Sequence, residues 1–163
     1  MTDDSSGLTH VDASGRLAMV DVSDKATTRR VAVARGLVHM RKDTVLALRN
    51  ATLKKGDAIA TARLAGIMAA KRTAELIPLC HSLPLDHVEV TIELGDTSAT
   101  ITATATVTSR TGVEMEALTA ATAAALAIYD MCKSIDPDMA VERVQLEEKT
   151  GGIHGDYRRS AGP

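Results

Sequence analysis

Residues 111–137 are mostly apolar or small, yet they carry Glu116 near their start and Asp130 and Lys133 near their end. Charged groups persist on a mostly buried element only when they are paired or put to use. Asp130 and Lys133 are three apart, so on a helix they are neighbours on one face. A carboxylate beside an amine is a simple ion pair or, where each tunes the other's pKa, an acid–base pair. Glu116 and Asp130 are fourteen residues apart, which is about 21 Å along a helix axis at ~1.5 Å per residue. Within one copy of the helix they cannot reach one substrate. If both serve one pocket, a second subunit supplies one of them. The plainer reading, a capped helix with an ion pair at its end, stands beside that one.

The other candidates are single residues. Lys55 lies just before a helix N-terminus, where backbone amides also favour anions; a solvated loop lysine is the ordinary alternative. His81 sits beside Cys80 in a loop pinned by Pro78 and Pro84, where a satisfied histidine and a small buried hydrophobe are the ordinary readings. Lys149, before Gly151 and Gly152, resembles an anion-binding turn. Lys71 and Arg72 read as complements to a helix dipole. The sequence holds no Gly-x-Gly-x-x-Gly, no P-loop and no paired metal-ligand spacing. It calls for no cofactor and no metal site.

The elements that must position these groups are legible as patterns. Residues 111–137 predict one long helix, with Thr111 as N-cap, Glu114 completing a capping box and Pro137 as the stop. A strand is expected over 29–40, with Val31 and Val33 alternating with smaller or polar residues and Gly36 placed for a bulge. A short helix over 42–50 follows, then a helix over 58–76 capped by Asp57. A hairpin pairs 88–94 with 101–107, and the second strand alternates small apolar residues with threonines, an uncharged side that permits a face or edge contact with another subunit. A last strand spans 139–147. This order is that of a ferredoxin-like α+β sandwich, an antiparallel sheet with helices on one face. One domain is expected over 16–157, between a flexible segment 1–15 and a flexible tail 158–163, loose already beyond Asp156.

Composition sets the limits. With 45% apolar residues but only two Tyr and no Phe or Trp, the core must be aliphatic and small. A net charge of −2 gives no nucleic-acid footprint. No run approaches the roughly 18 apolar residues of a membrane span, and no signal-peptide core is seen. Cys80 and Cys132, isolated thiols, suit a reducing cytoplasm.

Three stretches carry a resemblance. They are Lys55-Gly56-Asp57 with Ala60-Thr61-Ala62-Arg63 through Ile77-Pro78-Leu79-Cys80-His81; residues 111–119, Thr-Gly-Val-Glu-Met-Glu-Ala-Leu-Thr; and residues 128–133, Ile-Tyr-Asp-Met-Cys-Lys. The chain resembles the cyclic pyranopterin monophosphate synthase family of molybdenum cofactor biosynthesis from about Met19 to Asp156, with mild departures at Ser82 and Thr150. The resemblance implies a lyase that rearranges a cyclised dihydro-GTP to cyclic pyranopterin monophosphate and expels pyrophosphate. It implies a homohexamer, a trimer of dimers, with active sites at the dimer interface. It also implies Asp130 and Lys133 as the catalytic pair, and a substrate pocket of Leu79, Cys80, His81, Glu114, Met115, Glu116, Lys55, Lys149 and Arg30. In that frame Lys55 and Lys149 neutralise the departing pyrophosphate and His81 helps hold the phosphate or a sugar oxygen; the residues do not settle whether Mg²⁺ accompanies the triphosphate. A non-catalytic purine-nucleotide-binding regulatory module is the alternative, and a purely structural oligomerisation domain the third reading.

Overall fold

The computed structural model describes residues 16–152 and 155–160, so the flexible segment expected over 1–15 lies outside the described residues. The elements are β1 (Thr28–His39), α1 (Lys42–Arg49), α2 (Ala58–Ala70), α3 (Thr73–Leu76), β2 (His87–Leu94), β3 (Ser98–Ser109), α4 (Glu114–Cys132), β4 (Ala140–Thr150) and β5 (Tyr157–Arg158). The sheet runs β2-β3-β1-β4-β5, with every neighbouring pair antiparallel. Its first four strands, with α2 and α4 packed together on it, give the ferredoxin-like α+β sandwich expected from the order of elements.

Small side chains set the spacing of the layers. The strands alternate with period two, and the side facing the helices is lined by Ala32, Ala34 and Val38 of β1 and by Ala99, Ile101, Ala103, Ala105 and Val107 of β3, all fully buried. Val31 and Val33 lie on the other, half-covered side. Above the sheet, α4 presents Ala117, Ala120, Ala121, Ala124 and Ala125, and α2 presents Ala58, Ala62 and Ala70. Gly66 of α2 lies tight against α4 and β2. A Cβ there would lie 2.9 Å from the Ala120 carbonyl oxygen and 3.0 Å from Val90 Cγ2.

Helix ends depart from expectation, each for a local reason. The helix expected over 58–76 breaks after Ala70, and Arg72 takes a non-helical backbone. Buried Thr73 donates its hydroxyl to the Ala70 carbonyl at 3.0 Å, a side-chain bond that competes with the backbone ladder. The long helix is shorter at both ends. It begins at Glu114, with Val113 as N-cap and no side-chain cap bond, so the Thr111–Glu114 capping box does not form; buried Val113 anchors the entry in the core and Glu114 turns to Lys149 instead. It stops at Cys132, with Lys133 as C-cap, and a turn through Asp136 reaches Pro137. The last strand continues past 147 to Thr150, and Tyr157 and Arg158 of the segment expected to be loose pair with Lys149 and Glu148. The register of β1 on β4 shifts on either side of Gly36, between Val33 and Ala34 and between Leu37 and Val38. Because β3 lies between β2 and β1, its threonines offer a sheet face but no edge.

One long-range contact ties the corner near the end of α4. Arg41, the N-cap of α1, makes no side-chain cap bond. The cap is supplied by Asp136, 1% exposed, whose Oδ2 accepts from the Arg41 amide and from the Thr44 hydroxyl, each at 2.8 Å. Burial pushes this carboxyl up, but those bonds and the Arg41 guanidinium outweigh it and leave it below the usual carboxylate range.

The close approach at Gly66 is testable. Alanine ordinarily stabilises a helix interior by about 1 kcal/mol over glycine. Here Gly66→Ala should instead lower stability by roughly 1–3 kcal/mol, because α2 or α4 must shift to admit the methyl group. Urea unfolding measures it, and a variant as stable as the parent would mean that the helices are not held this close.

Candidate active site

At the C-terminal end of α4, Asp130 holds two lysines. Its Oδ1 is 2.8 Å from Lys133 Nζ and its Oδ2 is 3.0 Å from Lys55 Nζ. Lys55 comes from the turn before α2, which Gly56 makes with φ of 96° and which Asp57 ends by capping α2, accepting from the Ala60 amide at 2.9 Å. The Lys55 ammonium also donates to the Asp130 carbonyl oxygen at 2.6 Å, satisfying one of the helix's terminal carbonyls. Hydrogen bonds from Lys133 and then Lys55 hold the Asp130 carboxyl below its ordinary range, and Asp130 in turn pushes Lys133 up. Near neutral pH Asp130 is therefore ionised and Lys133 protonated, with Lys55 held on the same carboxylate. As it stands the cluster can give protons; it becomes a base only when water is excluded and the amine loses its partner.

At the N-terminal end of α4, two cavities share a rim. The larger, of about 370 Å³, is lined by Leu79, Cys80, His81, Glu114, Met115 and Glu116, with Val20, Val22 and Lys25 opposite. The Pro-pinned loop after α3 brings Cys80 and His81 to the first turn of α4, aided by a turn in which the Cys80 amide donates to the Ile77 carbonyl at 3.1 Å. Cys80 is half-buried rather than fully packed, and burial, with Glu116 nearby, pushes its thiol up. Glu116 is only 4% exposed. Burial, helped by the neighbouring Glu114 carboxylate and partly offset by its own backbone amide, pushes it up to about 7.

The smaller cavity, of about 160 Å³, is lined by Arg30, Arg110, Glu114, Lys149 and again Lys25. Glu114 Oε1 accepts from Lys149 Nζ at 3.0 Å. Gly112 makes room for this, because a Cβ there would run into the Glu114 carboxylate. Lys149 lies in β4, opposite Ala32 of β1 and Tyr157 of β5, and not in the turn expected before the glycines. Gly151 ends the strand with φ of 86°, where a Cβ would strike the Arg29 carbonyl. Buried Arg30 donates from Nε to the Ser109 carbonyl at 3.1 Å and from Nη2 to the Arg110 carbonyl at 3.0 Å.

The singled-out residues thus fall into two groups at opposite ends of α4. Leu79, Cys80, His81, Glu114, Met115, Glu116, Arg30 and Lys149 gather at its start; Lys55, Asp130 and Lys133 gather at its finish. Lys55 and Lys149, expected to act on one pyrophosphate, do not meet within one chain. Sequence reading missed Lys25 and Arg110. Lys25 is set by a tight turn, its amide donating to the Val22 carbonyl at 3.1 Å, after Asp21 accepts from the Ser23 amide at 2.9 Å and the Ser23 hydroxyl at 2.6 Å. The Asp-x-Ser spacing is the signal that could have found that turn. Among the described residues, no group of three or more His, Cys, Asp or Glu side chains is placed to hold a metal ion.

Glu116 should leave a mark on stability. Below about 4.5 it is protonated whether the chain is folded or not, and above about 7 the folded state carries it ionised and buried. Its contribution is thus most favourable below the lower value and is lost as pH rises through the upper one. Glu116→Gln should therefore gain stability relative to the parent between about pH 5 and about pH 8. Chemical unfolding at both values checks this, and parallel profiles would mean that Glu116 is not held protonated.

Comparison with known proteins adds a family. The MoaC family model matches residues 19–152. The chain is 56% identical over 154 residues to the cyclic pyranopterin monophosphate synthase of Thermomicrobium roseum, covering 93% of each chain. It is 54% identical to cyclic pyranopterin monophosphate synthase 3 of Mycobacterium tuberculosis, over 98% of this chain and 90% of that one. It is also 54% identical to the Chloroflexus aurantiacus synthase, over 93% of this chain and 94% of that one. The chain belongs to the MoaC family.

Proposed function

We propose that this protein is a lyase that converts (8S)-3',8-cyclo-7,8-dihydroguanosine 5'-triphosphate to cyclic pyranopterin monophosphate, releasing pyrophosphate, in an early step of molybdenum cofactor biosynthesis. The observation that carries the reading is the identity of 54–56%, over more than nine-tenths of the chain, to proteins named for that product. The chemistry of the two clusters suits it. The substrate's purine-derived ring must open and a pterin close, which takes proton transfers. A sugar-derived oxygen must then attack the phosphorus nearest the sugar while the bond to the outer two phosphates breaks. Asp130 and Lys133 are the proposed acid–base pair. Glu114 and Glu116 accept from the amino edge of the base, His81 holds a sugar or phosphate oxygen, and Arg30, Lys55 and Lys149 meet the phosphates.

A complete pocket then needs two chains, each giving the start of one α4 and the finish of another. The outer face of the helix layer is suited to such a pairing. Leu64 and Met68 of α2, Leu76 of α3 and Leu126 of α4 are exposed, and no charge stands between Glu116 and Asp130. A two-fold axis passing near Thr122 would lay α4 against its copy in antiparallel fashion, carrying the Glu116 end of one chain to the Lys133 end of the other. The half-covered far side of the sheet, with Val31, Val33, Leu37 and the β3 threonines, supplies the second contact that a trimer of dimers requires. No described helix is long and apolar enough to cross a membrane, and the reading places the enzyme in the cytoplasm.

The test is to incubate the protein with the cyclised dihydro-GTP and follow pyrophosphate and the pterin. Recovery of unchanged nucleotide from a protein that binds it would instead make this a regulatory module. Lys133→Ala should abolish turnover with the fold intact, since its ammonium is exposed and its role chemical; near-normal pyrophosphate release would remove it from the pair. Asp130→Asn and Glu116→Gln should each be inactive alone. Refolded together in equal amounts, about half the dimers are mixed, each with one undamaged pocket, so activity should return to about a quarter of the parent. Verified mixed dimers as dead as their parents would rule out the shared pocket.

A further inference from the structure

Three residues past Lys133, in the turn that closes α4, lies the buried carboxylate of Asp136. Its amide and that of Ile135 both donate to the Cys132 carbonyl, at 3.0 and 2.9 Å, so the turn is continuous with the helix end. Its Oδ2 accepts from the Arg41 amide and the Thr44 hydroxyl at the start of α1. The Arg41 guanidinium closes over the same turn, donating to the Ile135 carbonyl, with its Nε 3.7 Å from Asp136 Oδ1. Among the described residues Oδ1 has no hydrogen-bond partner. A buried carboxylate held in this way is a poor source of stability, because desolvation offsets most of what its bonds contribute. What the bonds supply is direction.

Direction matters here because of where α1 leads. The helix ends at Arg49, and Lys55, the second lysine on Asp130, follows six residues later. The segment between is tied to the helix: the Thr52 amide donates to the Ala47 carbonyl and the Gly56 amide to the Leu53 carbonyl, each at 3.1 Å. A shift of α1 is therefore passed on to Lys55. Val45 and Leu48 seat α1 in the core, but apolar contacts are non-directional and fix a helix's depth better than its position along its axis. Between α1 and the end of α4 a cavity of about 360 Å³ opens, lined by Ala47, Leu53, Lys55, Met131, Ser134 and Ile135. Packing on that side does not set the distance from Lys55 to Asp130. We infer that Asp136 is a positioning residue for the charged cluster at the end of α4. By joining the turn after Lys133 to the start of α1, it keeps Asp130 and Lys133 in register with the segment that brings Lys55. Being buried, it acts through the groups it places and not on a substrate. That the cluster does the chemistry rests on the proposed reaction; that Asp136 sets its geometry does not.

Carbon-13 NMR of the full chain, labelled at aspartate, tests this without any turnover. The Asp130 carboxyl, identified by its loss in Asp130→Asn, titrates low in the parent because Lys133 and Lys55 hold it. In Asp136→Ala it should titrate at higher pH, as Lys55 is no longer kept against it. Asp136→Asn, which retains an acceptor oxygen for the Arg41 amide, should fall between the parent and the alanine variant. Thr44→Val removes one of the two side-chain bonds and should move the titration in the same direction. These two milder variants carry the test where Asp136→Ala does not fold. A merely structural Asp136 would lower the thermal midpoint and leave the Asp130 titration of the folded variants as in the parent, and that result overturns the positioning role. With the cyclised dihydro-GTP, kcat of Asp136→Ala should fall about ten- to a hundredfold with KM changed less than about threefold, most proposed substrate contacts lying at the other end of α4. Parent-like kcat in the folded variant overturns the proposal as well. A shifted Asp130 titration in a protein whose parent converts no cyclised nucleotide upholds the positioning role, and only the proposed reaction falls.

Discussion

The approach of α4 to the sheet and to α2 is the constraint on which the rest depends. Helices pack at distances set by the side chains between them, and here those side chains are methyl groups or nothing at all. Five alanines of α4, with Gly66 opposite, bring the layers together without an aromatic residue anywhere in the core. Such a core has little free volume into which a displaced side chain could relax. A rigid bar results, with one chemical cluster fixed at each end.

The two ends differ in kind. At the finish of α4 the charges are exposed and mutually satisfied, Asp130 lying between Lys55 and Lys133. At the start Glu116 and Arg30 are buried, Glu116 raised toward neutrality and Arg30 facing carbonyls only, while Lys149 is partly exposed and Arg110 exposed. Water screens the first set more than it screens Glu116 and Arg30. Covering the exposed cluster with a second chain and a substrate would strengthen every interaction in it, and filling the buried one with an anion would supply the charge it lacks. In the proposed reading each end is completed by something from outside the chain.

Period-two alternation made the hairpin legible, because β2 and β3 each have one face under the helices and one away from them. The order of elements was sufficient for the ferredoxin-like class. The capping-box pattern at Thr111 misled because Glu114 has a stronger partner, Lys149, thirty-five residues away, and local pattern cannot weigh a distant ammonium. The break after Ala70 and the cap on α1 were hidden for related reasons. One depends on a buried hydroxyl turning back on its own helix, and the other on Asp136 reaching a helix ninety-five residues earlier. Of the candidate site, the residues in long distinctive stretches were legible and Lys25 and Arg110 were not, since each is a lone cation whose meaning comes only from the cavity it borders.

The absence of Trp and Phe has an optical consequence. Tyr129 and Tyr157 are the only aromatic residues of the chain. Tyr129 sits beside Asp130 on α4 and donates its hydroxyl to the Pro137 carbonyl at 3.1 Å, bracing the turn that follows Lys133. Near-ultraviolet absorption and emission from this protein therefore come from two known places rather than from an averaged core. With Tyr157 replaced by a non-aromatic residue, the remaining signal would belong to the end of α4 alone, a built-in spectroscopic probe of that cluster needing no added label.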